Sequence, residues 1–151
     1  MSQIEHFRIY IAAYLILEKE NQVLLLRRFN TGYMDGFYSF VAGHLDGVET
    51  AKECIAREAK EEAGIELILE DLTIKHVLHR YRSDREYIDI FLTADHWQGE
   101  IENREPHKCD DLHWFNKDEL PENFLPYLRF VFEQIEQGHF YSEFGWEQRK
   151  R

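Results

Sequence analysis

"GHLDGVETAKECIAREAKEEAGI", Gly43 to Ile65, is the stretch on which the fold turns. It opens as a loop with glycines at 43 and 47 and continues as a predicted helix over Thr50–Ala63. Thr50 and Glu53 make a capping box at its start, and Gly64 supplies a C-terminal stop. On a helical wheel Glu58, Glu61 and Glu62 fall within about 100° of arc. Like charges at that spacing repel one another. Solvated charged faces interleave signs, whereas here Arg57 stands only at the edge and the neighbours on the arc, Ala51 and Cys54, are small. Hard divalent cations take oxygen ligands and offset such crowding. The glycines before the helix let backbone approach a ligand and leave carbonyl oxygens free for a metal. A plain solvated acidic helix would account for the clustering alone.

Working outward, Phe7–Leu17 is rich in β-branched and aromatic residues and reads as a strand. "EKENQ" then turns the chain into Val23–Arg28, the second strand of a hairpin. "FNTGYMDG" is a loop, and "FYSFVAG" a short apolar run leading into Gly43. Beyond the helix, Leu72–Arg82 and Tyr87–Ala94 are strands flanking the turn "SDRE", and Asp111–Phe115 is another. A last helix spans Pro126–Gln137, with Leu128, Val131, Phe132 and Ile135 on one face and Gly138 as its stop. No repeat, low-complexity tract or linker interrupts this order. It predicts one α/β domain over residues 1–151, a mixed sheet flanked by helices. The tail after Gly138 carries no assignable pattern.

The 151 residues are enough for a proper core, and 44% hydrophobic content with 15% aromatics argues against disorder. No run of about 18 apolar residues exists to span a membrane. The N-terminal "MSQIEHFRIY" lacks the layout of a signal peptide. Two cysteines, far apart and in no CxxC pattern, suit a reducing cytoplasm and offer no zinc site. A net charge of −11 repels nucleic-acid polymers and anionic membranes. It would repel a free polyphosphate too, unless bound cations reversed the local field.

Position by position, Gly43, Glu49, Arg57, Glu58, Glu61, Glu62, Gly64 and Ile65 follow the pattern G-x5-E-x7-R-E-U-x-E-E-x-G-U, where U is a bulky aliphatic. Ala59 alone departs, being small where U is expected. This resembles the Nudix box, the hallmark of Nudix hydrolases, over residues 43–65. The resemblance implies the Nudix fold, an α/β/α sandwich with a mixed β-sheet and a loop–helix–loop catalytic motif. It also implies hydrolysis of a nucleoside diphosphate linked to another moiety, with Mg²⁺ or Mn²⁺. Carried over by residue, the Gly43 carbonyl, Glu58 and Glu62 are implied metal ligands, and Glu61 an inner or water-mediated one. Arg57 would hold the glutamates by charge-assisted hydrogen bonds, with Glu49 structural or in the outer shell. Ala59 implies looser packing behind the helix.

The family often draws a further glutamate from a later loop. Among Glu100, Glu102 and Glu105, Glu105 is favoured because Pro106 fixes its neighbourhood and a strand follows closely. Arg27 and Arg28 end a strand near the box, and alternation turns one inward; Arg28 and His44 are the substrate-binding candidates. Arg80 and Arg82 invite the same reading. Phe29, Tyr33, Phe37, Tyr38 and Phe40 offer core residues or a base-stacking ring, and Cys54 a packing residue. Subfamily markers subtract: the downstream proline of ADP-ribose-type members and the "FPGG"-like motif of coenzyme A-type members are absent. Tyr81 fits the position of a tyrosine in diadenosine-polyphosphate types. What remains is a MutT-like hydrolase of nucleoside triphosphates, yielding a monophosphate and pyrophosphate. The alternatives are a dinucleoside polyphosphate or nucleotide-sugar hydrolase, or a non-catalytic nucleotide-binding domain, against which the intact box glutamates speak. The expected partner is a small nucleotide, without nucleic-acid polymer or membrane, in the cytoplasm. The chain leaves a homodimer open.

Overall fold

Residues Ala12–Leu17 are buried without interruption. Ala12, Tyr14 and Ile16 enter one core, while Ala13, Leu15 and Leu17 enter another. A strand buried on both faces needs a layer of structure on each side of its sheet. The computed structural model, which describes residues 4–150, shows those layers.

The strands are β1 (Tyr10–Ile16), β2 (Glu18–Lys19), β3 (Gln22–Arg28), β4 (Tyr38–Ser39) and β5 (Val41–His44). Helix α1 (Ala51–Ala63) follows, then β6 (Glu66–Leu67), β7 (Leu72–Arg82), β8 (Arg85–Ala94), β9 (Trp97–Gln98) and β10 (Cys109–Asn116). Helix α2 (Pro126–Glu136) and β11 (Tyr141–Phe144) complete the chain. The main sheet has the order β11-β7-β8-β1-β5 and is mixed: β1 runs parallel to β8 and β11 to β7, and the other pairs are antiparallel. A second sheet, β10-β3-β2 with β4 beside β3, closes over it, and β6 pairs with β9.

Helix α1 buries Cys54, Ile55, Ala59 and Ala63 in the core that holds Ala13, Leu15 and Leu92. Helix α2 buries Tyr127, Leu128, Val131 and Phe132 in the opposite core, with Tyr14, Ile16 and Phe91. The result is an α/β/α sandwich around a mixed sheet. The Thr50–Glu53 capping box forms as expected, and Gly64 ends α1 in the left-handed region at φ 70°. Ala59 is wholly buried, so its small side chain leaves no opening to water behind the helix.

Four expectations change. Strand β1 starts at Tyr10, leaving Phe7 exposed. It forms no long hairpin with β3, because β5 and β8 take both its edges; only Glu18 and Lys19 fold back on Val23 and Gln22. The β7–β8 turn is tighter than "SDRE", since β8 begins at Arg85. The unassigned tail supplies β11, which buries only Ser142 and therefore has no periodic signature.

Candidate active site

The loop from β5 into α1 and the loop from β9 into β10 meet beside one edge of the main sheet. Gly43, opposite Ala13, has no space for a side chain: a Cβ there would stand 2.3 Å from the Glu58 Cδ. Only glycine lets the helix carboxylate lie against the strand. The small arc of α1 serves the same approach, since Cys54 Sγ lies 3.5 Å from the His44 carbonyl oxygen. It is β5 that approaches this arc, where the sequence suggested a ligand. Burial, then the Glu49 charge, pushes the Cys54 thiol up to about 12, which leaves it an inert packing group.

Arg57 organises the acids. Its Nη1 donates to Glu58 Oε1 at 2.7 Å, and its Nη2 and Nε donate to Glu49 Oε1 and Oε2 at 2.9 and 3.3 Å. That fork holds the Glu49 carboxyl below the usual carboxylate range. Glu61 lies 3.6 Å from Arg57 Nη1 and is half exposed, at the rim.

Glu62 is the anomaly. Its Oε2 is sealed from water and has no hydrogen-bond partner. Burial first, and then the neighbouring Glu58 carboxyl, push its pKa well above the carboxylate range, with Glu105 adding to the effect. Two touching carboxyls with an orphaned oxygen are a donor set that a hard cation satisfies. Among the described residues, no three potential ligands already converge on one point. The pair fits a divalent metal, and Glu61 would have to swing in to join it.

Gly43, Glu58 and Glu62 line a cleft of about 700 Å³, whereas Arg57 and Glu61 do not. Glu105 lines it as well, whereas Glu100 and Glu102 do not. A short turn fixes Glu105: its N–H donates to Asn103 Oδ1 at 3.1 Å, and its carbonyl accepts from Lys108 and Cys109. The same loop is tied to the end of α1, with Arg104 N–H donating to the Glu62 carbonyl at 3.1 Å.

The facing wall is basic and aromatic. Arg28 points inward, donating to the Tyr33 carbonyl at 2.7 Å and to Thr31 Oγ1 at 3.1 Å, which clamps the loop before β4. Arg27 points outward to Asp110. Arg82 stacks on Tyr33 at 4.7 Å and Arg85 on Tyr10 at 4.8 Å. His44 Nε2 lies 3.2 Å from the Tyr87 hydroxyl on the cleft floor. Tyr33 thus belongs to the cleft, while Tyr38 and Phe40 belong to the core. Tyr87, Arg85, Lys108 and Tyr127 line the cleft without having been singled out in the sequence. The available signal was the alternation of arginines and tyrosines across "RYRSDREY", which places Arg80, Arg82, Arg85 and Tyr87 around one hairpin.

A mixed sheet between helices, with a carboxylate-bearing loop–helix–loop at one edge, defines a class of α/β/α sandwich with an acidic site. Residues 6–134 match the NUDIX domain, and the chain belongs to the Nudix family. It is 30% identical over 119 residues to the NAD-capped RNA hydrolase NudC of Vibrio parahaemolyticus, covering 76% of this chain and 41% of that protein. The chain thus spans about two-fifths of that relative. It is 30% identical to the 8-oxo-dGTP diphosphatase of Proteus vulgaris, covering 62% of this chain and 82% of that one. The MutT NUDIX hydrolase of Burkholderia pseudomallei shares the fold with a TM-score of 0.76 at 23% identity, over 85% of this chain and 98% of that one.

Proposed function

We propose that residues 1–151 act as one Nudix hydrolase domain, a metal-dependent pyrophosphohydrolase of nucleoside triphosphates or related nucleoside diphosphate derivatives. The observation that carries this reading is the orphaned Glu62 Oε2 against Glu58, in a cleft whose far wall is cationic. Glu58 and Glu62 would hold Mg²⁺ or Mn²⁺, joined by the Gly43 carbonyl and Glu61. When bound, the cation polarises phosphoryl oxygens and lowers the pKa of water. Arg57 keeps Glu58 in place through its 2.7 Å bond. Glu105, fixed by its turn, takes the proton from attacking water. Arg28 and His44 meet the phosphates from the floor and far wall, beside Lys108. The free, buried Cys54 and Cys109 fit a reducing cytoplasm. The net charge of −11 favours a small nucleotide over a polymer.

A panel of nucleotides with Mg²⁺, products separated by chromatography, tests this. We expect a monophosphate and pyrophosphate, with label in the pyrophosphate when the solvent is ¹⁸O water, because attack falls on the β-phosphorus. Free phosphate as first product would refute the reading. A second reading, cleavage of a dinucleotide pyrophosphate, is favoured by the cleft volume of about 700 Å³ and its aromatic far end. Rapid turnover of dinucleotides but not triphosphates would establish it.

A further inference from the structure

Arg80 is buried to 4% exposure and pairs with the fully buried Asp89, Nε to Oδ2 at 2.6 Å and Nη2 to Oδ1 at 3.2 Å. The rings of Tyr87 and Tyr127 lie on the guanidinium at 4.2 and 4.1 Å. Nη2 also reaches the Tyr14 hydroxyl at 3.4 Å, and that hydroxyl bonds the Tyr127 hydroxyl at 2.9 Å. This costs more than it secures as packing, because apolar residues of similar volume hold a core as well as a buried ion pair does. The pair, two stacked rings and a hydroxyl bridge instead fix one guanidinium in one orientation.

Its remaining nitrogen, Nη1, has no hydrogen-bond partner among the described residues, yet it is not sealed from water. Arg80, Tyr14, Tyr87 and Tyr127 all line the cleft. The guanidinium therefore presents donors, and no acceptor, to whatever lies on the floor. Asp89 on β8 and Tyr14 on β1 hold the guanidinium over those two strands, two steps and one step across the sheet from β5, where Gly43 meets Glu58. At about 4.8 Å per step that is about 5–10 Å. A nucleotide whose reacting phosphate lies between the carboxylates and His44 extends its nucleoside over the floor toward this guanidinium.

We propose that Arg80, held by Asp89 between Tyr87 and Tyr127, reads the base edge and selects nucleotides that carry a carbonyl at purine C6 or pyrimidine C4. Guanine and uracil offer such an oxygen, while adenine and cytosine place an exocyclic amine against the same N–H group. The inference rests on the hydrolase reading above and names the substrate class of that site.

The test uses the full chain with Mg²⁺ and four triphosphates, GTP, UTP, ATP and CTP, which share their phosphates, so that a change of preference reports on the base alone. For the unaltered chain kcat/KM favours GTP and UTP over ATP and CTP by about tenfold or more. In the double variant Arg80→Met with Asp89→Leu, which strands no buried charge, the preference falls to within about twofold while the melting temperature holds. Arg80→Lys keeps the charge but loses the fork, and lies between. Equal use of all four bases by the unaltered chain overturns the proposal. So does a preference that survives in the folded double variant, or an equal loss for all four, which marks a structural role. Calorimetric binding of the same four nucleotides reads the preference without turnover. Failure of hydrolysis is thereby separated from failure of base selection.

Discussion

Glu62 is a carboxylate held where its charge is least welcome, against another carboxyl and with an oxygen cut off from solvent. For an acid raised in the folded state, folding favours the protonated form. Stability from this group is present at low pH and is lost as pH rises from the free glutamate value through the folded one. At neutral pH the metal-free protein carries that cost, and Glu62→Gln removes it. The variant is expected to melt higher than the unaltered chain in metal-free buffer, by calorimetry. If Glu62 holds the cation as proposed, the variant should also lose activity by roughly 10²-fold or more. Retained activity would remove Glu62 from the site. The crowding on this helix was legible in the sequence, because the spacing of Glu58, Glu61 and Glu62 is a local property of one α-helix. That one Glu62 oxygen is sealed from water was not legible, since the fold brings β5 and the Glu105 loop against it.

Strand β11 joins the main sheet by pairing with β7, and a buried polar cluster lies beneath it. His76 is fully buried; its Nδ1–H donates to the His139 carbonyl at 2.9 Å, and its Nε2 accepts from Ser142 Oγ–H at 2.7 Å. The neutral ring protonated at Nδ1 makes both bonds, and burial disfavours a second proton. Burial holds His76 below the usual histidine range, and the nearby His139 ring lowers it further. Between the folded value and the free value of about 6.5, the unfolded chain binds more protons, so stability falls as pH drops through that window. Comparison with His76→Gln separates this from general acid effects. The unaltered chain should lose about 2–4 °C more in melting temperature from pH 7.5 to 5.5 than the variant does. Equal losses would show that His76 does not titrate there. Strand β11 itself was illegible for a related reason: four residues with one buried side chain give no period, and pairing with β7 alone makes them a strand.

On the scale of the whole molecule, acidic and basic walls face each other across one cleft in a chain of net charge −11. A cation bound only by the folded state raises stability by mass action. Mg²⁺ should therefore raise the melting temperature in proportion to the logarithm of its concentration, and EDTA should abolish both that rise and the hydrolysis. Turnover unaffected by chelation would remove the metal from the mechanism. The sequence by itself determined the acidic half of this cleft: the capped helix, its glycine stop, the arginine beside the glutamates and the glycine before them all act within 23 residues. Short-range periodicity and capping carry that information along the chain. Only the tertiary structure decided the basic half. Arg28, Arg80, Arg82 and Arg85 come from β3 and the β7–β8 hairpin, and it is strand register, with the burial of Asp89, that turns them toward one floor. Strand pairing is non-local, and an arginine in a strand reads the same whether it faces solvent or a buried aspartate.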